Sequence, residues 1–122
     1  MDKRIVQINE IAIAVVSSNE PIITDAQSAL DLMMTIKYYD NTIRIAINKQ
    51  AIAEDFFNLG TGVAGEILQK FSNYQMKIAI FGDFSVYTSK PLKDFIGECN
   101  RGNHIFFADD EDSAINKLAG IL

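Results

Sequence analysis

The residues with the clearest chemical potential lie at Gly60-Thr61-Gly62-Val63-Ala64-Gly65, a run that satisfies the spacing G-x-G-x-x-G. Glycines so spaced let backbone N–H groups approach a pyrophosphate at the start of a helix. Asp83 follows Gly65 by 18 residues, near the position of an acid that would bind a ribose. The surroundings argue against that use. A dinucleotide fingerprint leaves a strand directly, whereas the strand pattern here ends near Ile47, and the chain lacks room for the second half of such a fold. The bland alternative is that these glycines let a helix pack closely on the sheet. Thr61, at the expected helix start, carries a hydroxyl placed either to cap the helix or to receive a phosphate that the helix dipole would favour.

Other reactive side chains are dispersed. His104 is the sole histidine, with no Cys or acidic partners at ligand spacing, which disfavours a structural metal site. A Ser–His–acid triad would need His104 beside Asp83 and Ser85, with Ser89 and Thr61 as further hydroxyls, and no G-x-S-x-G elbow is present. Cys99 is the single cysteine and reads as a small packed side chain. The acids at Asp109-Asp110-Glu111-Asp112 suit the first turn of a helix through its dipole alone. Asp55-Phe56-Phe57 lies in a connection, where the rings are either core or displayed to a partner, core being the commoner outcome. The segment Gly82 to Lys90, with Asp83, Phe84, Ser85 and Ser89, leaves the C-terminal end of a strand, where open α/β sheets bind ligands. The segments 48–61 and 82–90 are expected to share that rim.

The elements that must position these residues follow from pattern. Residues 4–8 and 11–16, split by Asn9-Glu10, predict an antiparallel hairpin. Thr24-Asp25-Ala26-Gln27 has capping-box spacing, with Thr24 as cap, and a helix over about 25–38 carries Ala29, Leu30, Met33 and Met34. A strand runs over 42–47, then a helix over about 61–72 with Val63, Ile67, Leu68 and Phe71 on one face. A strand at 77–81, a helix capped by Ser89 with Pro91 in its first turn, a strand at 104–108 and a last helix after Asp109-Asp110 complete the order. That last helix is expected to carry Ala114, Ile115, Leu118 and Ile121 on its apolar face. The alternation predicts one α/β domain over residues 1–122: a mixed sheet of about five strands with four helices, an initial hairpin, then parallel strands joined by crossovers.

Composition sets the outer bounds. The 122 residues are 48% hydrophobic and 22% charged, the balance of a folded globular chain. With 11 basic against 16 acidic residues and a net charge of −5, non-specific nucleic-acid binding is disfavoured. No apolar run approaches membrane-spanning length, and a lone cysteine suits a reducing compartment, so the cytoplasm is the default expectation.

The block Asp55-Phe56-Phe57-Asn58-Leu59, Thr61-Gly62, Ala64-Gly65-Glu66-Ile67-Leu68-Gln69-Lys70-Phe71-Ser72-Asn73-Tyr74, with Gly82-Asp83-Phe84-Ser85 and Thr88-Ser89-Lys90, resembles an uncharacterised bacterial family, domain of unknown function 4180. That resemblance covers nearly the whole chain and implies no activity. The element order is also similar, more distantly, to the STAS domain of anti-sigma-factor antagonists. There a serine beside a glycine begins the second helix and is phosphorylated by a partner kinase. Thr61-Gly62 takes that place here, after a longer connection from Ile47 and without an acid immediately before the hydroxyl. The resemblance implies a non-enzymatic regulatory or protein-interaction module, and charge, hydropathy and residue spacing add the expectation of no cofactor, metal, nucleic acid or membrane. Its working face would comprise Asp55, Phe57, Gly60, Thr61, Gly62, Asp83, Phe84, Ser85 and Ser89, and homodimerisation stays open. The competing expectation is a small-molecule or nucleotide binder that uses the Gly60–Gly65 helix start.

Overall fold

The computed structural model describes residues 1–120; Ile121, expected on the last helix, lies outside them. The elements are β1 (Asp2–Ile8), β2 (Ile11–Ser17), α1 (Ala26–Tyr39), β3 (Arg44–Asn48), α2 (Val63–Asn73), β4 (Lys77–Phe81), α3 (Lys90–Arg101), β5 (Ile105–Ala108) and α4 (Glu111–Ala119). The strands form one sheet in the order β1-β2-β3-β4-β5, antiparallel between β1 and β2 and parallel elsewhere. The expected mixed sheet with four helices is what forms. No described helix is long and apolar enough to cross a membrane.

Sequential strand order has a direct consequence. Right-handed crossovers that always step the same way must all pass over the same face of the sheet. Accordingly α1, α2 and α3 bury Met33, Ile36, Ile67, Phe71 and Leu92 against Val16, Ile45, Ile47, Ile78 and Ile80. The opposite face is left to α4 alone, which packs Ala114, Ile115 and Leu118 on Ile13, Val15, Ala46, Ala79 and Ala108. Each of β3, β4 and β5 thus turns one alanine toward α4, and these small residues let a nine-residue helix lie close to the sheet.

The hairpin turn forms as expected, and local chemistry departs from expectation at the start of α1 and of β3. Both residues of the hairpin turn, Asn9 and Glu10, have positive φ, the arrangement whose twist suits a two-residue connection. Helix α1 is capped by Asp25 rather than Thr24. Asp25 Oδ1 accepts from the Ser28 amide at 2.8 Å and Ser28 Oγ accepts from the Asp25 amide at 3.1 Å, while Gln27 reaches forward to Asp31. The reason is Ile23, which pairs with Ile52 as an isolated parallel bridge and holds the chain extended up to Thr24. Thr42, expected to open a strand, instead precedes β3; its buried hydroxyl donates to the Ala12 carbonyl.

Asp110 caps α4 in the same way, accepting from the Ser113 amide at 2.8 Å. Both cap carboxyls sit below the ordinary carboxylate range, held there first by the backbone amide and then by the hydroxyl of the serine three residues on. A carboxyl lowered by folding contributes stability above its unfolded pKa, and that contribution is lost as pH falls through the lowered folded value. The urea midpoint should therefore decline below about pH 4. The double variant Asp25→Asn/Asp110→Asn should flatten part of the decline, because an amide oxygen accepts the same bonds without titrating. An unchanged acid limb would contradict this account.

Candidate functional site

Between β3 and α2 the chain makes three consecutive short 3-10 turns, Lys49–Ala51, Glu54–Phe57 and Leu59–Thr61. The Ile23–Ile52 bridge anchors the first, through Ala53 N donating to Ile23 O at 2.9 Å. Asn58 opens the third by accepting from the Gly60 amide at 3.2 Å. Gly62 closes it with φ of 79°, a left-handed conformation that favours glycine, and its amide donates to Leu59 O. Helix α2 then starts at Val63, two residues later than expected, and Gly62 supplies no side-chain cap.

Thr61 is therefore the last residue of a tight turn rather than the first of a helix, and it is exposed. Its hydroxyl lies 2.8 Å from Asp55 O and 2.9 Å from Asn58 O, so one proton serves two carbonyls. The same oxygen accepts from Val63 N at 3.2 Å. A single hydroxyl thus ties the second turn to the third and both to the helix start. The first bond of the helical ladder is Glu66 N to Gly62 O, which leaves the amides of Ala64 and Gly65 ahead of it.

The dinucleotide context does not form. Two turns separate the end of β3 from the one that holds Gly60, and Gly65 is exposed, with nothing within 4 Å of an added Cβ. That open space also corrects the packing explanation, since Gly65 faces away from the sheet. Asp83 is occupied locally: its Oδ1 accepts from Ser85 N at 2.9 Å and lies 2.5 Å from Ser85 Oγ. The Ser85 hydroxyl first, then its amide, hold the Asp83 carboxyl below its ordinary value, with Lys49 adding to the effect.

The two rim segments do meet. Phe57 stacks on Tyr87 with ring centroids 5.1 Å apart and lies 5.9 Å from Phe84, which in turn packs edge-on against Phe107. The Tyr87 hydroxyl donates to Glu54 Oε1 at 2.7 Å, and the Lys49 ammonium sits 4.8 Å from the centre of the same ring. Burial, and then the Glu54 carboxylate, raise the Tyr87 phenol far above its ordinary pKa, so it stays protonated as the donor. Gly82 takes φ of 155°, and a Cβ there would come within 2.8 Å of Lys49 Cβ, so the two loops touch at backbone level.

Of the expected site residues, Asp55, Gly60, Thr61, Gly62, Asp83, Ser85 and Ser89 are exposed on these loops. Phe57 is only 4% exposed and Phe84 is half-buried, so neither ring is displayed as a partner anchor; both join the core. Ser89 caps α3 through Leu92 N. Lys49, Glu54 and Tyr87, which clasp the loops together, escaped sequence reasoning. Contacts between side chains 33 or more residues apart leave no spacing signal.

Loops after β2, β3 and β4 turn toward the three-helix face, and only the loop after β5 turns to α4, so neighbouring loops diverge between Asp83 and Asp109. His104 sits at the other end of the sheet, where its carbonyl accepts from Ile78 N at the start of β4. A strand length, roughly 15 Å, separates it from the loop carrying Asp83 and Ser85, which ends the triad reading. Cys99 is half-buried, and burial followed by Glu98 pushes its thiol up, away from the reactive thiolate. Among the described residues no three His, Cys, Asp or Glu side chains converge to hold a metal ion.

No curated protein and no solved structure matches this chain. A family model does, that of a domain of unknown function, DUF4180, over residues 8–118, which takes in every element from β2 to the body of α4. On that match, the chain belongs to the DUF4180 family.

Proposed function

We propose that this chain is a non-enzymatic regulatory or protein-interaction module whose exposed turn at Thr61 acts as the switch. The observation that carries the reading is the Thr61 hydroxyl, solvent-facing yet donating to Asp55 O and Asn58 O while accepting from Val63 N. A phosphoester oxygen has no proton to donate. Phosphorylation at Thr61 would therefore abolish both carbonyl bonds and set charge beside the exposed carboxylate-bearing turn at Asp55. The free amides at the start of α2 would favour the phosphate in a new position. The turn Glu54–Phe57 is bound to the 83–87 loop through Phe57 and the Glu54–Tyr87 bond, so release at Thr61 would reach Asp83 and Ser85. The similarity in element order to anti-sigma-factor antagonist domains, where a hydroxyl beside a glycine at the start of the second helix is phosphorylated, supports the same role for Thr61, which stands two residues before α2.

The test is affinity capture with the wild type, Thr61→Val and Thr61→Asp as baits. The wild type should recover a partner that Thr61→Asp loses by at least tenfold, and Thr61→Val, which deletes the same two carbonyl bonds without adding charge, should lose it in part. Equal recovery by all three baits, or no partner with any, would overturn the proposal.

A further inference from the structure

The two edges of the sheet are treated differently. On β5, a strand of four residues, Ile78 N donates to His104 O and Gly82 N to Ala108 O, so the even-numbered residues face β4 and Phe107 faces outward. That outward amide is already taken: Asn100 Oδ1 on α3 accepts from Phe107 N at 2.8 Å. The strand is short, flanked by helices and capped, the usual means by which a protein blunts an edge.

β1 has none of these protections. It is seven residues long, pairs with β2 at every position without a bulge, and contains no proline or glycine. Ile8 and Ile11 flank the two-residue turn and form a hydrogen-bonded pair. Alternation then turns the N–H and C=O groups of Lys3, Ile5 and Gln7 outward, away from β2. Among the described residues no other strand pairs with that edge. Charged side chains commonly guard such edges. Of the three on β1, Asp2 stands at its very start, and the two farther along are folded back on their own chain: Lys3 Nζ lies 2.7 Å from Asp40, and both terminal nitrogens of Arg4 engage Glu111. Ile5, at the centre, remains 41% exposed.

We infer that β1 is a homodimerisation edge, pairing antiparallel with β1 of a second copy about a two-fold axis at Ile5. Hydrogen bonding and charge together select this register, since centring on Val6 would leave Lys3 opposite the turn and pair only Ile5 with Gln7. Centred on Ile5, Lys3 lies opposite Gln7 of the second copy and Arg4 opposite Val6, and all three outward residues of each strand are used. Sliding by one pair toward the N-terminus sets Arg4 against Arg4, which repels. A two-fold axis requires such self-complementarity, and the product is a continuous ten-stranded sheet. Tyr38, which is 74% exposed and lines an open groove with Gln7, flanks the seam. This surface lies away from Thr61 and does not depend on the switch.

Sedimentation equilibrium on the wild type, Ile5→Lys and Ile5→Pro tests it. The wild type should sediment at twice the chain mass. Ile5→Lys places like charges at the two-fold and should weaken the dimer at least a hundredfold. Ile5→Pro removes only an outward N–H, so its ladder to β2 persists and a folded monomer should result. If Ile5→Pro does not fold, Ile5→Lys alone decides. A monomeric wild type, or a folded Ile5→Lys that remains as dimeric as the wild type, overturns the inference.

Discussion

Phe57→Ala is expected to lower the free energy of unfolding by about 3–5 kcal/mol, the range for truncating a buried aromatic ring. Phe57 is 4% exposed and is the shared partner of Phe56, Phe84 and Tyr87. Its removal opens a cavity and also cuts the joint between the 54–57 turn and the 83–87 loop. Tyr87→Phe is the contrasting control. It deletes the hydrogen bond to Glu54 but leaves the ring stacked, and a half-exposed bond of this kind contributes about 0.5–1.5 kcal/mol. Urea unfolding should rank the two variants accordingly, and limited proteolysis should cut Phe57→Ala first within 49–61 or 82–89. If Phe57→Ala costs under about 1 kcal/mol, well below the expected range, the ring does not hold the rim together.

The architecture was legible where burial writes a pattern. Ile45-Ala46-Ile47 and Ile78-Ala79-Ile80 read as strands because both faces are covered, and the repeated central alanine marks the face on which α4 lies. Ser89 and the pair Asp109-Asp110 were readable as helix starts because capping is local chemistry. The region 48–62 was not. Its 3-10 turns have no long period, and their placement depends on Ile23 pairing with Ile52 across 29 residues of chain. The same bridge moved the cap of α1 from Thr24 to Asp25. For the candidate site, exposure at Thr61 and Gly62 could be anticipated from turn residues, whereas burial of Phe57 was only the commoner of two outcomes. A ring beside an acid in a connecting segment reads alike whether it packs inward or outward.

The opposite kind of perturbation is expected to be nearly as damaging on the other face. Ala79→Leu adds bulk where Ala79 is 0% exposed, in register with Ala46 on β3 and Phe106 on β5 and beneath α4. Overpacking a filled core costs about 1–3 kcal/mol when neighbours can shift. Here the neighbour that must shift is α4, nine residues long, and a helix that short is not stable in water without packing. Lifting it would also uncover Ile13, Val15, Ala46 and Ala108, so the cost should reach the upper end of that range. Hydrogen exchange should show protection lost first at the α4 amides, while those of α1 and α2, buried on the far face, stay protected. Gly65→Ala serves as the comparison, since a methyl there meets nothing within 4 Å and should not reduce stability. Uniform loss of protection in Ala79→Leu would mean that the two faces unfold as one unit. Selective loss would identify α4, with its bed of alanines and its ties to Arg4 and Arg44, as a unit that opens separately from the three helices on the far face.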